Sequence, residues 1–481
     1  MGTGGSAGRE GPIAQIGGGL GSVVAGMLRL SSRQRRILMI AGVGAGIGAI
    51  FRAPLAGALF SAEVLYRDID LEHEALAPAI LSSIVATSTF GFIFGWQPLF
   101  GTPAFRFDNL LQLLLYAALA VVVTIGAEVY VWVFYGVRDL SRRVKMPRWL
   151  RPAAGGLVVG AVGLLVPQAL STGFGVLQDA FDGKAAATFL FVVAGAKILT
   201  TAFTVGTGGS GGVFGPAVVI GGALGGGVGL VFHQLFPGLV AEPGAFAMVG
   251  MAGFFAAAAH VPISTVIMVS ELTGNYHLLV PAMLVCMLGF LMMRRQSLYE
   301  KQVPTRADSP AHQSEMMRDA LQRLRVEDAL SLRPPVPPEP VGQGVPLAEV
   351  LERLSSSRHT CLPVVDAKGD AVGVLTLDAV QRTLGQPSLA PALVAMDLAA
   401  PPVSVTRRES VYDATVEMAT HGRNEVLVVD DADPKRIVDV LTATDIAVLY
   451  DKMTGGRLSR EQAPRAGGGM AGRLAALFRR E

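Results

Sequence analysis

Two glycine-rich strings carry the residues best suited to binding an anion. Residues 2–12 read GTGGSAGREGP and residues 206–216 read GTGGSGGVFGP, so eight of the eleven positions are identical. Proline is favoured in the first turn of a helix, and a long apolar run follows each proline, so each string predicts a helix N-terminus. Glycine keeps the backbone bare there, which lets unpaired N–H groups and the positive end of the helix dipole face an anion. Two such ends predict one dehydrated anion held between two repeats.

The composition of the chain places these helix ends in a membrane. Hydrophobic residues make up 51% of the 481 residues, charged residues make up 16%, and 58 glycines suit close packing of helices in lipid. The mean hydropathy is +0.47. A net charge of +2 does not indicate nucleic acid as a partner, and Cys286 and Cys361 form no CxxC pair. The alternative, a soluble protein with buried helices, is disfavoured by this composition.

Several of the apolar segments are too short to cross a bilayer. A spanning helix needs about 20 apolar residues, whereas several segments here hold 11 to 16. Helices that stop inside a membrane are tolerated only where their ends line a cavity walled by protein. We therefore predict an α-helical membrane fold with short and re-entrant helices. The apolar segments lie at residues 13–28, 37–50, 54–66, 75–95, 109–137, 153–167, 186–204, 216–236, 244–259, 262–272 and 278–293.

The duplication extends to a second motif further along each copy. Pro54 begins an apolar run that reaches Glu63 nine residues later, and Pro262 begins one that reaches Glu271. A carboxylate inside a membrane is usually functional, but these two recur symmetrically at helix ends, so we expect them to be structural.

The first copy lacks a segment that the second copy has. A long apolar helix and two further segments, within residues 108–205, precede the second string, whereas the first string begins at residue 2. About 98 residues of equivalent structure are thus absent, and we expect the gene product to start upstream of Met1.

The two strings are similar to motifs of the CLC family of chloride channels and chloride–proton exchangers. Residues 8–12 match its GREGP motif, and residues 212–216 match its GxFxP motif. The resemblance covers residues 1–300 and implies a transmembrane anion-transport domain of two inverted repeats, in a homodimer with one ion pathway per subunit. The family's upstream GSGIP motif, whose serine binds the central anion, has no match here.

The resemblance also implies roles for single residues. Glu10 matches the gating glutamate, whose carboxylate occupies the anion's place when ionised and leaves it when protonated. The alternative for Glu10 is a helix cap. Tyr299, in SLYEK, matches a tyrosine whose hydroxyl binds the central anion; the alternative is a tyrosine of the membrane interface. The chloride-binding residues implied are Arg9, Glu10, Gly11, Val213, Phe214, Gly215 and Tyr299.

Residue 64 bears on the mode of transport. Exchangers of the family usually carry an inner glutamate directly after the position of Glu63, and this chain has Val64 there. Valine cannot bind a proton and channel members also carry it, so the sequence favours passive, channel-like chloride conduction gated by Glu10, although some bacterial exchangers work without that carboxylate. The alternatives are a proton-coupled chloride antiporter and a non-transporting chain that acts in nucleotide binding or dimerisation. No enzymatic activity is predicted.

The last third of the chain reads as soluble α/β protein. Residues 301–326 form a polar linker, and two similar units follow at 327–388 and 389–453. Each unit predicts a helix, two apolar strands joined by a turn, and another helix. They resemble a tandem of CBS domains, a common cytoplasmic appendage of the family. A flexible basic tail is predicted at 454–481.

CBS tandems often bind adenine nucleotides through an Asp three residues after a Thr or Ser. The second unit keeps this spacing in Thr442 and Asp445, whereas Asp378 of the first unit lies one residue early. The resemblance thus admits an adenine nucleotide at the second unit, with a purely structural pair as the alternative. No metal and no required cofactor are predicted, and chloride is the expected ligand. We expect a homodimer, joined through membrane and CBS domains, in the cell membrane with the CBS pair in the cytoplasm.

Overall fold

A helical unit and a mixed α/β unit follow one another in the chain, as the sequence predicts, and they divide after Pro310. The computed structural model describes residues 2–294, 296–335, 337–357, 359–377, 379–380 and 392–453. The predicted tail at 454–481 and Asp378 lie outside the described residues.

The first unit consists of helices of very unequal length. Of the helices described, α2, α4, α5, α8 and α9 are long and apolar enough to cross a membrane, whereas α6, α10, α11 and α12 are apolar but shorter, which confirms the predicted mixture. The helices are α1 (Glu10–Met27), α2 (Ser32–Phe51), α3 (Pro54–Glu63), α4 (His73–Phe94), α5 (Gln112–Arg143), α6 (Arg151–Leu165), α7 (Phe174–Phe181), α8 (Ala187–Gly206), α9 (Phe214–Leu235), α10 (Gly244–Ala259), α11 (Pro262–Thr273) and α12 (Leu279–Met292). Short 3₁₀ turns occur at Pro167–Ala169 and Arg306–Asp308.

Helix α10 lies at the centre of this unit. All of its residues are buried, and α9 packs along it. The two helices approach closely because glycines face each other: a Cβ on Gly250 would meet the backbone of Gly221 and Gly225. Helices in lipid gain little from apolar burial, so small residues that allow close backbone packing hold such a pair together.

The two copies of the repeat have the same unusual backbone at equivalent positions. Gly4 has a φ of 94° and its counterpart Gly208 a φ of 108°, in the region that only glycine adopts readily. Arg52 and His260, each two residues before a short helix, have φ values of 53° and 58° and end the preceding helix in a left-handed cap. The backbone therefore confirms the duplication.

The second unit contains two three-stranded sheets of the same design. In each, the first strand runs parallel to the second, the second runs antiparallel to the third, and a register irregularity falls at the end of the middle strand. The strands are β1 (Val341–Gly342), β2 (Cys361–Val365), β3 (Ala371–Thr376), β4 (Ser404–Thr406), β5 (Glu425–Val429) and β6 (Ile437–Thr442). The helices are α13 (Gln313–Arg323), α14 (Val326–Leu330), α15 (Leu347–Ser356), α16 (Ala395–Leu398), α17 (Val411–Thr420) and α18 (Ala443–Met453).

The two halves of this unit exchange their leading helices. The amide of Val326, in α14, donates to the carbonyl of Glu409 beside the second sheet, and the amide of Ala395, in α16, donates to Val345 beside the first. Val326 shares a buried core with α17 and β5, whereas Ala395 shares one with α15 and β2. The predicted boundary between residues 388 and 389 therefore does not coincide with the boundary between the two packed cores, because each core includes a helix from the other side of it.

Candidate anion-binding site

The two glycine strings pair with each other directly. The amide of Gly8 donates to the carbonyl of Gly212 at 2.7 Å, and the amide of Gly212 donates to the carbonyl of Gly8 at 2.8 Å. Ser6 ties the first string to α8, since its amide donates to Thr204 Oγ1 at 3.0 Å and its hydroxyl lies 2.9 Å from that of Thr201. This pairing brings the N-terminus of α1 beside the N-terminus of α9.

The carboxylate of Glu10 lies between those two helix ends. Its Oε1 atom accepts hydrogen bonds from the amide of Phe214 at 2.7 Å and from the amide of Gly215 at 3.1 Å. Glu10 begins α1 and the two amides belong to the first turn of α9, so both helix dipoles favour negative charge at this point. The structure thus brings together three of the residues singled out in the sequence.

Two glycines provide the space that the carboxylate occupies. A Cβ atom on Gly8 or on Gly212 would overlap the carboxylate of Glu10. Each string therefore contributes one glycine that forms a backbone hydrogen bond to the other string and that leaves room for the carboxylate because it has no Cβ. The resulting space is lined by backbone rather than by side chains, which suits an anion that has shed its water.

An aromatic cluster holds the first turn of α9 in place. The ring of Phe214 packs against Phe255 with 4.5 Å between ring centroids, and against Phe51 with 4.8 Å. The ring of Phe60 also belongs to the cluster, with 6.4 Å between its centroid and that of Phe214. The amino-acid sequence does not indicate this cluster, because single phenylalanines within apolar helices carry no spacing signal that separates them from ordinary core residues.

Tyr299 lies in a loop that is anchored to two helices. The amide of Leu298 donates to the carbonyl of Ala258 at 2.7 Å, and the hydroxyl of Tyr135 donates to the carbonyl of Leu298 at 2.8 Å. The amide of Tyr299 itself donates to Ser297 Oγ at 3.1 Å. The Tyr299 hydroxyl lies close enough to Glu10 for the two groups to interact electrostatically. Tyr135 and Ser297 are supporting residues that sequence reasoning missed.

The remaining sequence-predicted ligands flank the Glu10 carboxylate. Val213 is the N-cap of α9, Arg9 is the N-cap of α1 with an exposed side chain, and Gly11 packs against the Cα of Gly212. That the amides of Arg9, Gly11 and Val213 bind chloride stays a prediction.

Glu63 and Glu271 are engaged at helix ends, as their symmetry in the sequence suggested. Glu63 accepts hydrogen bonds from the amides of Ile263 at 2.9 Å and Ser264 at 2.8 Å, and from the Ser264 hydroxyl at 2.5 Å. Glu271 accepts hydrogen bonds from the amides of Leu55 at 3.3 Å and Ala56 at 2.9 Å. Both carboxylates thus bind the first turn of a short helix.

In the second unit, Asp445 is already engaged within the protein. Its Oδ2 atom accepts hydrogen bonds from the amide of Thr442 at 3.0 Å and from the Thr442 hydroxyl at 2.9 Å. Its Oδ1 atom accepts from Arg333 Nε at 2.9 Å. Arg333 also donates to Asp439 Oδ1 at 3.1 Å and to the carbonyl of Val440 at 2.6 Å. Burial acts to lower the pKa of Arg333, but its hydrogen bonds to Asp445 and Asp439 raise that pKa above its usual value overall.

Comparison with known protein families agrees with this architecture. The family profile described as "Voltage gated chloride channel" matches residues 1–294, and the profile described as "CBS domain" matches residues 326–385 and 395–451. The chain therefore belongs to the voltage-gated chloride channel family, known as CLC, and carries a pair of CBS domains.

Individual relatives are channel-named and exchanger-named proteins of bacteria. The chain is 32% identical over 293 residues to a "Putative chloride channel protein ClcB-like" of Ralstonia nicotianae, covering 60% of this chain and 68% of that protein. It is 31% identical over 288 residues to the "H(+)/Cl(-) exchange transporter ClcA" of Vibrio cholerae, covering 58% of this chain and 61% of that protein. The chain thus spans less than two thirds of the length of the exchanger that it matches.

Solved structures confirm the fold. A slow cyanobacterial Cl⁻/H⁺ antiporter matches with a TM-score of 0.56 and 24% identity, covering 67% of this chain and 74% of that one. A eukaryotic CLC transporter matches with a TM-score of 0.51 and 20% identity, covering 92% of this chain and 77% of that one. The predicted fold class, a CLC-type helical membrane unit followed by a CBS tandem, is confirmed.

Proposed function

We propose that the protein transports chloride across a membrane and that Glu10 gates the pathway. The observation that carries this proposal is the position of Glu10 Oε1, which accepts hydrogen bonds from two amides in the first turn of α9. Chloride can accept the same bonds, so the carboxylate and the anion compete for one place. Protonation removes the negative charge of the carboxylate and so favours chloride in that place.

The mode of transport that we propose is chloride–proton exchange. A gate that must take up a proton before it yields its place to chloride links the two ions at one position. The exchanger-named relative supports this mode, although the ClcB-like relative is named a putative channel. Val64 had favoured passive conduction, and under exchange the proton has to reach Glu10 by a path without a carboxylate at residue 64.

Paired flux measurements in proteoliposomes test both parts of the proposal. Under an imposed chloride gradient, we expect uphill proton movement that Glu10→Gln abolishes while chloride flux continues. Glu300→Gln is the matched control, because Glu300 pairs with Arg138 at the surface. Chloride flux without uphill proton movement in the parent protein would establish passive conduction instead, and the absence of both fluxes would refute transport.

We further propose that the protein is a homodimer in the cell membrane, with the CBS pair in the cytoplasm as a regulatory unit. The helices long enough to span a membrane and the membership in a membrane transport family support the location. An adenine nucleotide is the ligand that we propose for Thr442 and Asp445. Cross-linking in native membranes and labelling of the CBS pair from either side test the assembly and the orientation.

A further inference from the structure

Tyr130 is a buried tyrosine in the middle of α5. The side chain is fully buried, and its ring packs against Phe254 at 5.9 Å and against Phe134 at 6.3 Å between centroids. Its position in the sequence indicates no role, because a tyrosine among the apolar residues of a long helix is typical of a core residue.

The hydroxyl of Tyr130 makes no hydrogen bond in the described part of the protein. Buried tyrosine hydroxyls usually find a partner, because a buried polar group that has lost water without replacement is costly. Tyr135, five residues along the same helix, shows the usual pattern, since its hydroxyl donates to the carbonyl of Leu298. An unpaired buried donor therefore points to a partner other than the described residues, such as a bound ion.

The surroundings of Tyr130 place this donor at the anion pathway. Phe254, which packs on the ring of Tyr130, is followed in α10 by Phe255, which packs on Phe214. The amide of Phe214 is the one that binds Glu10 at 2.7 Å. Tyr130 also interacts electrostatically with Tyr299 and with Glu10. The adjacent residues Phe254 and Phe255 of α10 thus pack on Tyr130 and on Phe214, which places the Tyr130 phenol and the Phe214 amide in one region.

We propose that the Tyr130 hydroxyl donates a hydrogen bond to the transported anion, alongside the hydroxyl of Tyr299. The assignment rests on the proposed function, since it names a further ligand of the same pathway. A phenol suits this task because it carries a donor proton and no charge at physiological pH. It replaces part of the anion's hydration without holding the ion too tightly for passage.

The first test measures chloride binding by calorimetry to the detergent-purified protein. Tyr130→Phe removes only the hydroxyl and should weaken chloride binding roughly ten- to hundredfold, which is the loss expected for one hydrogen bond to a charged partner. Tyr116→Phe is the matched control: Tyr116 is buried on the same helix and its ring stacks on Phe246 at 4.4 Å. We expect this control to bind chloride as the parent does.

The results of this test distinguish failure of the Tyr130 assignment from failure of the proposed transport function. Parental chloride affinity in Tyr130→Phe would overturn the assignment and leave the proposed transport intact. Equal losses in Tyr130→Phe and Tyr116→Phe would also overturn it, since they would report packing in α5 alone. A parent that neither binds nor transports chloride would refute the proposed function and the ligand assignment together.

A second test needs no variant and so does not depend on the folding of one. Crystals of the unaltered protein soaked in bromide locate the anion by its anomalous scattering. We expect a bromide within hydrogen-bonding distance of the Tyr130 hydroxyl. A pathway bromide out of reach of that hydroxyl, with the hydroxyl bonded to protein or to water, would overturn the proposal.

Discussion

Glu63 and Glu271 cap each other's helices. Glu63 is the last residue of α3 and binds the first turn of α11, while Glu271 lies in α11 and binds the first turn of α3. Each repeat therefore supplies the acceptor that the other lacks. Each carboxylate binds amides that have no other acceptor within their own helix.

The two caps should differ in their contribution to stability. Glu63 accepts three hydrogen bonds and is fully buried, whereas Glu271 accepts two and is partly exposed. We expect Glu63→Ala to lower the thermal unfolding midpoint in detergent more than Glu271→Ala, with each lost charged hydrogen bond costing about 1.5–3 kcal/mol. Ser264→Ala removes only the hydroxyl bond and should fall well short of Glu63→Ala. Equal midpoints for the two alanine variants would contradict the structure.

Adding one carbon at the glycine pair should obstruct the proposed gate. In Gly8→Ala the new methyl group would overlap the Glu10 carboxylate and so fill part of the place for which the carboxylate and chloride compete. We therefore expect chloride flux in proteoliposomes to fall at least about tenfold. Gly19→Ala is the matched control, since a Cβ there meets no atom within 4 Å. Similar fluxes for the two variants would show that the site has room to spare.

Arg333 should act as a competitor of any adenine nucleotide at the second CBS sheet. It occupies the Asp445 oxygen that a ribose hydroxyl would use. We therefore expect Arg333→Gln to tighten ATP or AMP binding roughly three- to tenfold, and Asp445→Ala to abolish it. Calorimetry on the purified protein measures both. Weaker binding in Arg333→Gln would mean that the arginine helps to hold the nucleotide, and equal binding would mean that the ion pair plays no part.

The thiol of Cys361 should make the second unit sensitive to alkali. Burial raises the pKa of Cys361, and the neighbouring Glu425 carboxylate raises it further. The folded protein then keeps a proton that the unfolded chain releases above the ordinary thiol pKa, so stability is present below that pH and is lost as the pH rises further. We expect a slope of up to about 1.4 kcal/mol per pH unit in denaturant unfolding above pH 9. Cys361→Ala should lower the slope of the second unit's unfolding transition by about this amount, and an unchanged slope there would contradict the assignment.

The sequence predicted much of the site because its signals are local. The Gly-Pro strings set the helix starts, and the internal repeat indicated that residues 8–12 and 212–216 belong to one place. The contacts that the sequence did not predict join residues distant in the chain: Arg333 reaches Asp445, and Tyr135 holds Leu298. No periodicity or spacing links such pairs, since tertiary packing alone decides them.

The overlap of any Cβ at Gly8 or Gly212 with the carboxylate also has a genetic consequence. Every missense change from a glycine codon yields a residue with at least one more side-chain carbon. We therefore expect that no amino-acid change at either of these two positions is neutral for function. In a deep mutational scan of a host that depends on this protein, both positions should stand out as intolerant even of alanine and serine. Natural populations should then show only synonymous changes in the codons of Gly8 and Gly212.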